Sequence, residues 1–138
     1  MRVSVFQTPY IEQRKRGPKG VFKWAVDQAI MADQSDFYTY WVGEHALEEW
    51  ESIPNPELVV SAAALETEKL IIGPGAHILP LHNPGRLAIQ ASWLSHILDG
   101  RYILGVGAGA FPATHAISGQ YSMAVSYTHL TLPTKRIV

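Results

Sequence analysis

The 138-residue chain contains no cysteine. Disulfides, thiolate catalysis and thiolate metal ligation are thereby excluded. The composition suits a reducing compartment, and a cytoplasmic protein is expected. Charge is also scarce: charged residues make up 17% of the chain and the net charge is −1. Such a balance leaves no electrostatic footprint for nucleic acid or an anionic membrane, and neither partner is expected. No apolar run approaches the ~20 residues of a membrane-spanning helix. The N-terminal "MRVSVFQTPY" lacks the apolar stretch of a signal peptide and reads as a strand. What is present is a hydrophobic content of 47%, ordinary for a globular domain.

Four short apolar runs, "RVSVFQ", "YTYWVG", "LIIGPGAHIL" and "RYILGVG", are rich in β-formers and apolar on both parities. That is the pattern of parallel strands buried on both faces. Three helical stretches separate them. From Val21 to Gln34, Phe22, Ala25, Val26, Ala29 and Ile30 recur at helical spacing. From Pro56 to Glu66, Asn55 is a candidate cap, with Pro56 and Glu57 suited to the first turn. The third opens at Asn83-Pro84, carries Leu87, Ala91, Leu94 and Leu98 on one stripe, and stops at Asp99-Gly100. A strand–helix unit thus recurs about every 30 residues, the size of a βαβ repeat. The fold class is α/β with a parallel sheet. It fits either an open doubly wound sheet or the N-terminal half of a (β/α)8 barrel, which in full needs ~250 residues.

In both architectures chemistry sits at the carboxyl ends of the strands. Glu44 and His45 follow the second run and fall at that end. An imidazole there can serve as acid, base or hydrogen-bond donor. "GPGAH", Gly73 to His77, interrupts the third run, and glycine inside a strand marks a bulge or a close approach of backbone to a ligand. His77 itself reads as a satisfied core residue. "GVGAG", Gly105 to Gly109, suggests a dinucleotide site, and with it an NAD-dependent oxidoreductase. Yet "AFPATHAISG" is a poor helix start and no acid follows. "EQRKRGPKG", Glu12 to Gly20, reads as a basic loop. The six histidines, His45, His77, His82, His96, His115 and His129, form no HxH or HExxH pair, and no metal is expected.

The ordered set "YWVGEH" and "NPELVVSAAALETEKLIIGPGAHILPLHNPGRLAIQASWLSHILDGRYILGVGAG" resembles the bacterial luciferase-like flavin-dependent monooxygenases over about residues 1 to 120. "GPGAHILPLHNP" followed by "GAFP" is similar to the limonene-monooxygenase branch. The resemblance implies a (β/α)8 TIM barrel. It also implies a reduced flavin, ordinarily FMN from a separate reductase, which uses dioxygen to oxidise a small organic substrate. Some relatives use a deazaflavin instead. His45 matches the family's catalytic histidine. Glu44, Gly75, Ala76, Gly107 and Ala108 match cofactor-site positions, with a non-prolyl cis peptide implied at Gly75–Ala76. A homo-oligomer is implied for the complete protein.

The chain departs from the family where many members carry a second histidine, here Ala46, and where some carry a phosphate-binding arginine, here Ala108. Asp36 stands where a glycine often ends the first helix. The family's second half has no counterpart. Residues 1–122 are therefore expected to be a partial barrel domain, and 123–138 an atypical tail, foreign or disordered. A catalytically inactive fragment, or a flavin-binding protein that is no enzyme, stands as the alternative to an active monooxygenase. An unclosed half barrel exposes strand edges and an apolar inner face, so self-association is expected.

Overall fold

The computed structural model describes residues 1–8, 13–48, 53–117 and 119. The expected tail at 123–138 lies outside these residues. Strands β1 (Ser4–Gln7), β2 (Thr39–Val42) and β3 (Ile71–Pro74) lie side by side in that order, all parallel. The third run, expected as one strand, breaks after β3 at Gly75–Ala76, whose peptide bond is cis, and resumes as β4 (His77–Ile78). The fourth run follows it. Tyr102 bridges to Ile72, and β5 (Val106–Gly107) pairs with β4, again parallel. Two glycines make this approach possible. A Cβ on Gly73 would stand 1.7 Å from the Ile103 carbonyl oxygen, and one on Gly105 2.3 Å from that of Pro74. Both therefore serve contact between neighbouring backbones, not contact with a ligand.

Helices connect the strands, as the hydrophobic periods require. Helix α1 (Gln13–Gln34) starts earlier than expected: most of the supposed basic loop is helical, bent at Gly17, where φ is 64°. Pro18 then opens the straight part of the helix, where a missing N–H costs nothing. The buried stripe of α1 is Val21, Ala25, Ala29 and Ala32, while Phe22 is 39% exposed. Small residues let α1 lie close against the sheet, and the bulky neighbour turns outward. Helix α2 (Pro56–Ala64) ends two residues short of the expected Glu66. Asn55 makes no side-chain cap, because its amide donates to Glu57 Oε1 at 3.1 Å. Asn83 does cap α3 (Pro84–Ile97), accepting the Arg86 N–H at 3.1 Å. "AFPATHAISG" also contains a helix, α4 (Pro112–Ile117), so the poor start suffices for a short one.

The core lies between the sheet and the helices, where Tyr40, Val42 and Ile72 meet Ala25, Ala29, Val59, Val60, Ala63, Leu94 and Leu98. The Tyr40 hydroxyl donates to the Ala25 carbonyl at 3.0 Å, so burying the phenol strands no polar group. On the opposite face Phe6 remains 55% exposed, as an unclosed sheet requires. Helices α1 and α3 both end in Schellman turns. Phe37 N–H reaches Ala32 O at 3.0 Å and Gly100 N–H reaches Ser95 O at 3.0 Å. The turns place Asp36 and Asp99 at φ values of 59° and 50°. Asp33 ties the end of α1 to the approach of β3, accepting the backbone N–H groups of Glu68, Lys69 and Leu70 at 3.2, 3.1 and 2.7 Å. Burial alone would raise its pKa, but these bonds and Lys69 together lower it. Asp33→Ala leaves those donors without their acceptor and should cost about 2–4 kcal/mol, read as a lower urea midpoint. An unchanged midpoint would show that the loop needs no anchor.

Candidate active site

The chain leaves β2 through Gly43 and turns at Glu44 and His45, whose backbone N–H donates to the Ile53 carbonyl at 2.9 Å. The two side chains then part. The Glu44 side chain is driven inward and is 2% exposed. Its Oε2 accepts the Ile78 N–H at 2.8 Å and faces His77 Nδ1 at 3.0 Å. His82 Nε2 lies 2.8 Å from Oε1 and 2.9 Å from Oε2. Burial by itself would raise the Glu44 pKa; the bonds from His77, His82 and Ile78 outweigh it and lower it. An ionised carboxylate only accepts hydrogen bonds, so both facing ring nitrogens carry protons. His77 thus donates from Nδ1. Its Nε2, fully buried, has no hydrogen-bond partner among the described residues.

Glu44, His77 and His82 hold their donor atoms within 4.8 Å of one another, the donor set of a nitrogen–oxygen metal site. A cation there would displace both ring protons from the carboxylate. It would also require His77 Nε2 to carry a proton with nothing to receive it, whereas metal-bound histidines donate that proton to an outer partner. The geometry is that of a hydrogen-bonded cluster.

His45 turns the other way. Its ring meets Phe111 edge-on, centroids 5.7 Å apart, and Nδ1 stands 3.8 Å from Glu48 Oε2. Burial lowers the His45 pKa, against the opposing pull of Glu48 and Glu44, so the ring is neutral at neutral pH. An open cleft of about 270 Å³ lies beside it. Glu44, His45, Gly75, Ala76, Gly107 and Ala108 all line this cleft. The structure therefore brings together the six positions that the family resemblance implied, while His77, Gly73 and Gly105 stand outside the lining. Ile78, Gly109, Ala110 and Phe111 complete the lining. The wall is largely backbone: a Cβ on Gly107 would meet only the Ala76 methyl, at 3.4 Å, so the missing side chain leaves open a flat approach.

The profile of the family described as luciferase-like monooxygenase matches residues 1–130. The chain belongs to the luciferase-like monooxygenase family. It is 41% identical to 3,6-diketocamphane 1,6-monooxygenase of Pseudomonas putida over 119 residues, 86% of this chain and 31% of that protein. Limonene 1,2-monooxygenase of Rhodococcus erythropolis, of the branch expected from the motifs, is more distant than the diketocamphane enzyme: 36% identical over 77 residues, 56% of this chain and 20% of that protein. Among solved structures, the oxygenating constituent of 3,6-diketocamphane monooxygenase from Pseudomonas putida, in complex with FMN, matches with a TM-score of 0.86 and 36% identity. That match covers 94% of this chain and 38% of the other. The strands and helices described above thus match part of a luciferase-like TIM barrel, and the chain spans about a third of the diketocamphane enzyme's length. Among the described residues no helix is long and apolar enough to cross a membrane.

Sequence reasoning missed His82 and Phe111 in this family member. His82 sits 38 residues from Glu44, beyond any local motif, and Phe111 carries no polar signal. The lowered pKa values fix a sign for pH dependence. Below the ordinary His value of 6.5 the unfolded chain takes up a proton before folded His45 does. Glu44 and Asp33 repeat this below 4.5 and 3.8. Stability should therefore fall as the pH drops below about 7, first through His45 and then, below about 4.5, through Glu44 and Asp33. Urea midpoints check this, and His45→Gln should flatten the first part of the decline. A midpoint that rises on acidification would contradict the assignment.

Proposed function

We propose that this chain forms part of the active site of a flavin-dependent monooxygenase. The site takes reduced FMN from a separate reductase and uses dioxygen to oxidise a small organic substrate. The observation that carries the reading is the cleft itself. A neutral imidazole and a wall of glycine and alanine backbone meet at the carboxyl ends of parallel strands, in a chain that resembles a protein solved with FMN.

The residues present fit a flavin ring. Gly75–Ala76 at the bend between β3 and β4 and Gly107–Ala108 at the end of β5 offer backbone without bulk, which suits a planar group laid against them. When bound, reduced flavin supplies the electrons that activate dioxygen. His45, neutral at neutral pH, donates a hydrogen bond or accepts a proton at the cleft. Phe111 packs on the imidazole and excludes water from it. Glu44, fully engaged by its three donors, orients the wall and moves no proton.

A second reading, flavin binding without turnover, is favoured by one observation: the chain covers 38% of the FMN-bound relative, so much of that protein's structure has no counterpart here. Fluorescence titration with FMN, followed by oxygen uptake with a flavin reductase, NADH and 3,6-diketocamphane as probe substrate, separates the two. The monooxygenase reading expects FMN binding and turnover. His45→Ala should keep FMN affinity but lower the rate by about a hundredfold or more, the contribution of a positioned acid–base group. Binding without turnover selects the second reading, and absence of FMN binding overturns both.

A further inference from the structure

We propose that His82 is a positioning residue: acting through Glu44, it sets the cleft wall at Gly75–Ala76. The role it gives that wall rests on the flavin reading above. His82 is not part of the cleft lining. It follows the 3-10 turn Leu79–Leu81, its own N–H donates to the Leu79 carbonyl at 3.0 Å, and it precedes Asn83, the cap of α3. Its side chain, 19% exposed, spans both oxygens of a carboxylate that is 2% exposed.

Each of Glu44's bonds has a separate consequence. Oε2 holds His77 and the Ile78 backbone, the residues that follow directly on the cis bend. Oε1 is held by His82. Removing that donor leaves one oxygen of a buried anion without the partner that offsets its desolvation. The carboxylate must then turn or admit water, and Oε2 moves with it. Ile78 and Ala76 both line the cleft, so the displacement reaches the wall directly. His77 cannot substitute, because its ring already donates to Oε2 and its remaining nitrogen is sealed in the interior. The role needs an N–H donor at the Nε2 position and nothing else of imidazole, so glutamine should replace His82 and leucine should not.

The test compares the chain with His82→Gln and His82→Leu. Three readouts are taken: the dissociation constant for oxidised FMN, the thermal midpoint, and the amide and imidazole NMR signals of Gly75, Ala76 and His77. The proposal expects His82→Leu to weaken FMN roughly tenfold. It should also shift the Gly75, Ala76 and His77 signals. His82→Gln should stay within about threefold of the unaltered chain on the first readout. A leucine variant that binds FMN normally, or a glutamine variant as weak as leucine, overturns the proposal. Should His82→Leu not fold, His82→Asn, polar but too short to reach the carboxylate, takes its place. Should the unaltered chain bind no FMN, the flavin reading fails, and the NMR signals still decide. Shifted Gly75 and Ala76 amides in His82→Leu, restored in His82→Gln, support positioning; unchanged amides overturn it.

Discussion

A buried anion must be paid for by its neighbours, and in this molecule the anion is Glu44. Two imidazole N–H groups and one backbone N–H converge on its carboxylate, which is 2% exposed. One backbone bond ties the end of β2 to the bend, Gly75 N–H to the Val42 carbonyl at 2.7 Å. The carboxylate adds a second tie just beyond it, to His77 and Ile78, and the two together set the cleft. With Glu44 turned inward, the next residue, His45, turns outward against Phe111. With His77 and Ile78 held, the cis bend presents Gly75 and Ala76 to the same space.

The glycines show a related division of labour. Gly73 and Gly105 remove side chains where one strand's backbone meets the next, and Gly107 removes one where the cleft needs a flat wall. A Cβ on Gly75 would meet Trp41 Cβ at 2.9 Å and the Phe6 ring at 3.1 Å. The same residue thus packs on the inner face of the sheet and lines the site. At Gly75 packing and function are coupled through contact with the Trp41 and Phe6 side chains.

Some of this was legible in the residues. The parallel α/β order followed from short apolar runs alternating with helical periods. Asn83 and Asp99-Gly100 marked helix ends by local chemistry that needs no distant partner, while Asp36 was marked by the family pattern. Glu44 and His45 stood out because a buried run ended abruptly in two titratable groups. Other features depended on contacts far apart in the chain. Gly73 is required by Ile103, far along the chain, whose carbonyl occupies the space beside it. The partners of Glu44 lie 33 to 38 residues away. Helix α1 begins before Val21 because Gly17 adopts a positive φ that lets Pro18 open a helix, and the surrounding basic residues obscured that pair. The site residues were placed by resemblance to the family; from spacing alone, Gly75, Ala76, Gly107 and Ala108 would have remained a set of unexplained small residues.

The central claim is that the carboxyl ends of these strands form a site for a flavin ring. NMR chemical-shift mapping tests it most directly, with oxidised FMN added to isotope-labelled chain. The account predicts that the largest shifts fall on Ala76, Gly107 and Ala108 and on the His45 ring. Shifts gathered elsewhere, for example around Ile89 and Trp93 on the exposed side of α3, with those residues unmoved, would contradict it.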